Sequence, residues 1–146
     1  MSLSADLREF IALLNSHGVE YVIVGAHSLA FHGRPRYTGD LDILVRPSPE
    51  NAAKLSTVMN EFGFGETGLK ESDFAVPDQI IQLGRAPNRI DLLTGITGVE
   101  IDDAFQSKMA TELDGLSVFM LSKALLIQNK RAVGRPQDLA DLDTLT

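Results

Sequence analysis

Apolar residues first recur at helical spacing, at Leu7, Phe10, Ile11 and Leu14, which predicts an amphipathic helix over residues 6–16. Ser4 stands where an N-cap belongs, and Gly18 offers a stop just past His17. The period then changes. Residues 19–24 end in the continuous run Val22-Ile23-Val24, as expected of a strand buried on both faces of a helix-covered sheet. A short helix is predicted directly after it, over residues 26–32. At 40–45 acids alternate with apolar residues, Asp40-Leu41-Asp42-Ile43-Leu44-Val45, the pattern of a strand, stopped by Pro47 and Pro49. Ser48-Pro49-Glu50 starts a helix with Pro in its first turn. It should run to about Phe62, burying Ala53, Leu55, Val58, Met59 and Phe62.

Residues 66–77 mix charges with weak periodicity and predict a loop holding at most one helical turn. Strands are predicted at 79–83 and 89–93, joined as a hairpin, and a helical turn at 102–108. A second hairpin, 110–113 with 116–119, turns at Asp114-Gly115. Helices over 121–132 and 136–145, parted by Gly134, close the chain. No repeat, low-complexity tract or linker interrupts the 146 residues. The expectation is one α+β domain over residues 1–146, a mixed β-sheet packed against helices, with a C-terminal helical cap from about residue 121.

Composition changes this picture little: 44% hydrophobic and 23% charged residues are ordinary for a globular protein. No apolar run reaches the roughly 20 residues that span a bilayer. The first residues lack the basic and apolar regions of a secretory signal. The absence of cysteine excludes disulfides and thiolate metal sites, and suits a reducing compartment. These features point to the cytoplasm and to no membrane contact. A net charge of −7 opposes broad coating of DNA, yet leaves room for a small anion where local cations meet it.

The chemistry concentrates between Val22 and Val45. Strand alternation puts Asp40 and Asp42 on one face, where two neighbouring carboxylates stay ionised only beside a positive charge. Mg²⁺ is a common answer, because it takes one or two carboxylates together with substrate phosphate oxygens. An isolated Asp-x-Asp is usually a solvated strand face. Here the acids sit between residues that read as buried, and Asp91 repeats that tension between Ile90 and Leu92. His17, His27 and His32 are too scattered for a transition-metal site; surface or helix-end packing suits them better. Asp138 and Asp141 read as capping and solvating acids of the last helix.

In order along the chain, Val24-Gly25-Ala26, then Asp40-Leu41-Asp42-Ile43, then Asp91 within Arg89-Ile90-Asp91-Leu92-Leu93-Thr94-Gly95 resemble the nucleotidyltransferase fold. That superfamily is shared by DNA polymerase beta and small bacterial nucleotidyltransferases. The turn Gly33-Arg34-Pro35-Arg36-Tyr37-Thr38-Gly39 and the tail from Lys130 to Leu142 are similar to those of its small, uncharacterised members. One departure stands out: Ala26 occupies a place where the family pattern has Gly or Ser.

The resemblance implies transfer of a nucleoside monophosphate from a triphosphate (NTP), with pyrophosphate leaving. Asp40, Asp42 and Asp91 would be the catalytic, metal-holding acids, with room for two Mg²⁺ ions and with Asp91 as proton acceptor. Gly25 and Ala26 would offer backbone amides to phosphate, and Ser28 a hydroxyl. Arg34, Arg36 and Thr38 would meet phosphates from the turn, and Lys130 and Arg135 from the C-terminal helices. The implied acceptor is a protein, a tRNA or a small molecule. A protein partner fits the toxin–antitoxin pairs in which small relatives occur, and a homodimer is open. The competing reading is a nucleotide- or partner-binding module, antitoxin-like, that has lost catalysis.

Overall fold

The computed structural model describes residues 3–33, 40–63, 68–84 and 89–145. Among them the chain runs α1 (Ala5–Ser16), β1 (Tyr21–Val24), α2 (Gly25–His32), β2 (Leu41–Val45) and α3 (Pro49–Phe62). It continues with β3 (Ile80–Leu83), β4 (Ile90–Leu93), α4 (Ile101–Gln106), β5 (Met109–Leu113), β6 (Leu116–Met120), α5 (Lys123–Val133) and α6 (Pro136–Leu145). A 3₁₀ turn, Glu71–Ala75, lies in the segment expected to be loop.

The sequence signals act as expected at most boundaries. Ser4 and Ser48 accept the backbone N–H of Leu7 and Asn51, and Pro49 opens α3. Asp114 and Gly115 take φ of 51° and 80°, the left-handed pair of a tight hairpin between β5 and β6. One expectation on α3 fails. Ala52 is buried and Ala53 is exposed, because the buried face follows Leu55 and Met59 by turns of three and four residues.

The strands form one mixed sheet in the order β3-β4-β2-β1-β6-β5. β1 is antiparallel to β2 and parallel to β6, and β2 is parallel to β4. Alternation sends Ile23, Ile43 and Leu92 to one face, where α1 and α3 cover them with Phe10, Ile11, Leu14, Leu55 and Val58. The other face carries Val22 and Leu44 beneath Leu29, Leu126 and Leu145. That second cover does not reach β3: Ile80, in register with Leu93, is 65% exposed. The sheet is therefore sealed on one face and half open on the other. No helix among the described residues is long and apolar enough to cross a membrane.

Buried Asn51 locks the lead-in of β1 to the exit of β2. Its Oδ1 accepts Glu20 N–H at 2.7 Å, and its Nδ2 donates to the carbonyls of Glu20 (3.0 Å) and Arg46 (2.9 Å). Asn51→Ala should lower stability by about 2–4 kcal/mol, since Glu20 N–H and the Arg46 carbonyl lose their partner and the Glu20 carbonyl loses one of two in a part-buried place. A urea midpoint equal to the parent would contradict this.

Candidate functional site

The register of the central strands builds the site. Val24 faces Asp42 across β1 and β2, Asp42 faces Asp91 across β2 and β4, and Asp91 faces Gln82 across β4 and β3. These four side chains form a row on the half-open face, because paired residues share a face. Two carboxylates thus stand side by side on neighbouring parallel strands, one of them, Asp91, only 7% exposed.

Among the described residues the nearest cation is Arg89, two residues before Asp91. Its Nη2 lies 3.1 Å from Asp40 Oδ2 and 3.3 Å from Asp91 Oδ2. Its Nε lies 3.2 Å from Asp91 Oδ1 without the alignment of a hydrogen bond, and both of these atoms are sealed from solvent. Asp42 and Asp91 therefore meet directly, whereas Asp40 joins them through the guanidinium. As these side chains stand, no three acids or histidines among the described residues converge closely enough to hold a metal ion.

Asp42 shows the resulting strain electrostatically. Burial first, then the charge of Asp91, a hydrogen bond from protonated Asp42 to Asp91, and the charge of Asp40 push its carboxyl up to about 6. Arg89 opposes the shift and does not cancel it.

A turn built for close approach borders this pair. Gly25 has φ +69°, and a Cβ placed there would overlap the Asp42 carboxylate. Only glycine fits both demands. From Gly25 the chain turns straight into α2, whose N-cap, Val24, gives no side-chain hydrogen bond. The first-turn amides of Gly25 and Ala26 thus begin a helix beside the acids without a capping side chain. Gly25 and Asp42 open into a cleft of 360 Å³ lined also by Leu93, Asn129 and Arg135.

The C-terminal helices contribute unequally. The Arg135 side chain is 69% exposed, reaches the cleft, and is gripped by Asp138 (Nε to Oδ2, 2.7 Å). Lys130, instead of lining the cleft, is buried between α5 and α6, 3.4 Å from Asp138 and 3.0 Å from Asp141. Asp138 and Asp141 are correspondingly buried, not solvated as the sequence suggested, because Lys130 and Arg135 neutralise them. The hydrogen bond from Arg135 leads in holding Asp138 down to about 2, against the opposing effect of burial.

Of the other expected contacts, Ser28 is fully buried and its hydroxyl has no hydrogen-bond partner among the described residues. His27 is buried too, rather than packed on the surface; burial lowers its pKa, and a hydrogen bond with the Asp40 backbone opposes this. Arg34, Arg36 and Thr38 lie outside the described residues. Arg89 is the functional candidate that sequence reasoning missed. Its signal was present, since residues two apart on a strand share a face.

A family profile described as "Nucleotidyl transferase of unknown function (DUF2204)" matches residues 3–146. The chain belongs to that family. Among solved structures it is similar to TM1012 of Thermotoga maritima, a proposed nucleotidyltransferase, at 20% identity and a TM-score of 0.61. The match covers 94% of this chain and 88% of that one, and it shows a shared fold. No curated protein matches. The α+β nucleotidyltransferase fold expected from the motifs is the fold observed, and family and fold together support a nucleotidyl-transfer role.

Two outcomes test the geometry. Gly25→Ala should destabilise the protein by about 1–3 kcal/mol through backbone strain and collision with Asp42. A chemical denaturation midpoint within error of the parent would contradict the close approach. The second concerns pH. Folded Asp42 keeps its proton to about pH 6, whereas an ordinary Asp releases it near 3.8. The folded state binds the extra proton in that window, so stability falls as pH rises through it. Asp42→Asn should abolish this loss and stabilise the protein at pH 7.5 by about 1–3 kcal/mol. Thermal melts from pH 4 to 7.5 check both parts; an unaltered profile counts against the coupling.

Proposed function

We propose that this chain is an Mg²⁺-dependent nucleotidyltransferase that moves a nucleoside monophosphate from an NTP to a hydroxyl acceptor. One observation carries the reading: two adjacent, under-neutralised carboxylates beside a glycine turn that begins a helix without a side-chain cap. The acids fit a hard cation. Asp91 Oδ1 is buried without a hydrogen bond, and Asp42 is pushed up to about 6, by burial first and then by its acidic neighbours. Asp42 and Asp91 would hold Mg²⁺, an ion that completes its shell with phosphate oxygens, and Asp40 would join them if Arg89 moved to the phosphates. Bound there, the ion would offset the charge that develops on the phosphoryl oxygens.

The chain's own residues supply the rest. The amides of Gly25 and Ala26, at the positive end of α2, favour a phosphate in the cleft. Arg135, held by Asp138, offers a guanidinium to the leaving pyrophosphate, and Asp91 can take the acceptor's proton. In-line placement matters most, since such a transfer needs little covalent help from the protein.

Arg89 supports a second reading. It already gives Asp40 and Asp91 a cation, as in a module that binds nucleotide or a protein partner without turning over. The toxin–antitoxin setting rests on resemblance alone.

The two readings diverge under mutation. With Mg²⁺ and each NTP, the parent should bind at least one nucleotide and leave a nucleotidyl adduct in a cell extract, read by mass spectrometry. Asp42→Asn should abolish Mg²⁺-dependent binding with the fold intact. Asp91→Asn, which removes one of the two metal-holding carboxylates, should weaken Mg²⁺-dependent NTP binding and, at saturating NTP, slow transfer by about 10²–10⁴-fold, the range of a lost general base. Binding without any adduct, for every NTP, would favour the module.

A further inference from the structure

The cleft beside Asp42 has a neighbour. Ile80, Gly95, Ile96 and Thr97 line the 360 Å³ cleft beside Asp42 and also a second hollow of 680 Å³, so the two adjoin. The second hollow runs from Asp78, before β3, to Glu100, at the start of α4. Its size suits a ligand of several linked groups rather than a lone ion. Asp42 lines the first cleft only, so a molecule lying in the second would approach it past the shared residues Ile80 and Gly95.

Its charge is one-sided. Among the described residues that line it there is no Lys, Arg or His, while Asp78 and Glu100 contribute two exposed carboxylates. The placement of Asp78 is enforced. The residue has φ +60°, an uncommon conformation for a side chain other than Gly. Buried Thr94 fixes the turn around it, its Oγ1 donating to Val76 O at 2.6 Å and accepting Gln79 N–H at 2.8 Å. The Asp78 carboxylate then lies against Gly95, where a Cβ would overlap Oδ1. Gly95 thus keeps an acid at the junction of the two hollows. Polyanionic RNA would be repelled here, and a positively charged group would be drawn in.

We propose that the second hollow is the acceptor site and that the acceptor is an alcohol carrying amine or guanidine groups. This rests on the transferase reading above. The acceptor's cationic group sits between Asp78 and Glu100, its carbon skeleton crosses Ile80, and its hydroxyl reaches the α-phosphorus over Gly95. The hydroxyl oxygen bonds to the α-phosphorus as the bond from that phosphorus to the bridging oxygen breaks. Pyrophosphate leaves with the electron pair, and the hydroxyl proton passes to Asp91. A basic segment of a protein and a small aminosugar share this chemistry.

The test offers the full chain, with Mg²⁺ and the NTP it binds, four acceptors: Ser/Thr/Tyr peptides flanked by Arg and Lys, the same peptides flanked by Glu, a synthetic aminosugar, and bulk tRNA. Adducts are expected on the basic peptides or the aminosugar, and which of the two is labelled identifies the source. The double variant Asp78→Asn, Glu100→Gln should raise the acceptor KM about tenfold, as two partly exposed charge pairs are lost, and leave the KM for NTP unchanged. Asn tolerates the left-handed conformation at position 78, so the turn survives. Labelling of tRNA or acidic peptides in preference, an acceptor KM untouched by the double variant, or no adduct while Mg²⁺-NTP still binds would overturn the acceptor assignment. Absence of Mg²⁺-NTP binding in the parent would instead remove the transferase reading itself.

Discussion

Repulsion between Asp42 and Asp91 is the constraint around which this fold is arranged. Nothing local forces two acids together; the register of parallel strands β2 and β4 does, and the apolar residues on either side fix that register. Slipping β2 by one residue would bury Asp42 under α1 and α3 and turn Ile43 outward. The packed face, with Ile43 and Leu92 against Leu55 and Val58, therefore holds the unfavourable pair in place. Stability on one face of the sheet sustains electrostatic tension on the other.

The same division explains why the site is open. β3 extends the sheet beyond the reach of α2, α5 and α6, so the row from Val24 to Gln82 passes from cover into solvent. Gly25 brings the backbone of α2 against Asp42, and Gly95 lets Asp78 lie at the far end. Each glycine removes a side chain where a carboxylate must approach. The two acids so admitted differ in consequence: one sits in a shared, buried field, the other at an exposed rim.

Much of this was legible in the sequence, and the reasons are local. The caps at Ser4 and Ser48, the Asp114-Gly115 turn and the alternation through Asp40–Val45 are signals carried by a few adjacent residues. The nucleotidyltransferase fold followed from ordered motifs spread along the chain. What escaped depends on pairs distant in sequence. The burial of Asp138 and Asp141 requires Lys130 from another helix to neutralise them, and no periodicity on α6 announces that. Asn51 looked like one polar residue among several in a helix start, yet three backbone groups hydrogen-bond to it. Arg89 fell between these cases, since its side of β4 was inferable but the bridge to Asp40 was not.

Arg89 also bears on how the free and loaded states can share one backbone. With its guanidinium between Asp40 and Asp91, the protein carries a cation of its own at the acids. It does not quiet Asp42, whose carboxyl remains high although Arg89 lowers it. The neutralisation is thus partial and uneven, stronger at Asp40 and Asp91 and weakest at Asp42. A divalent ion arriving with a triphosphate would meet the carboxylate that Arg89 serves least, while the displaced guanidinium would find phosphate oxygens within reach. One side-chain movement could then exchange partners without altering strand register, so the sheet can be rigid where the chemistry requires it and only Arg89 needs to move.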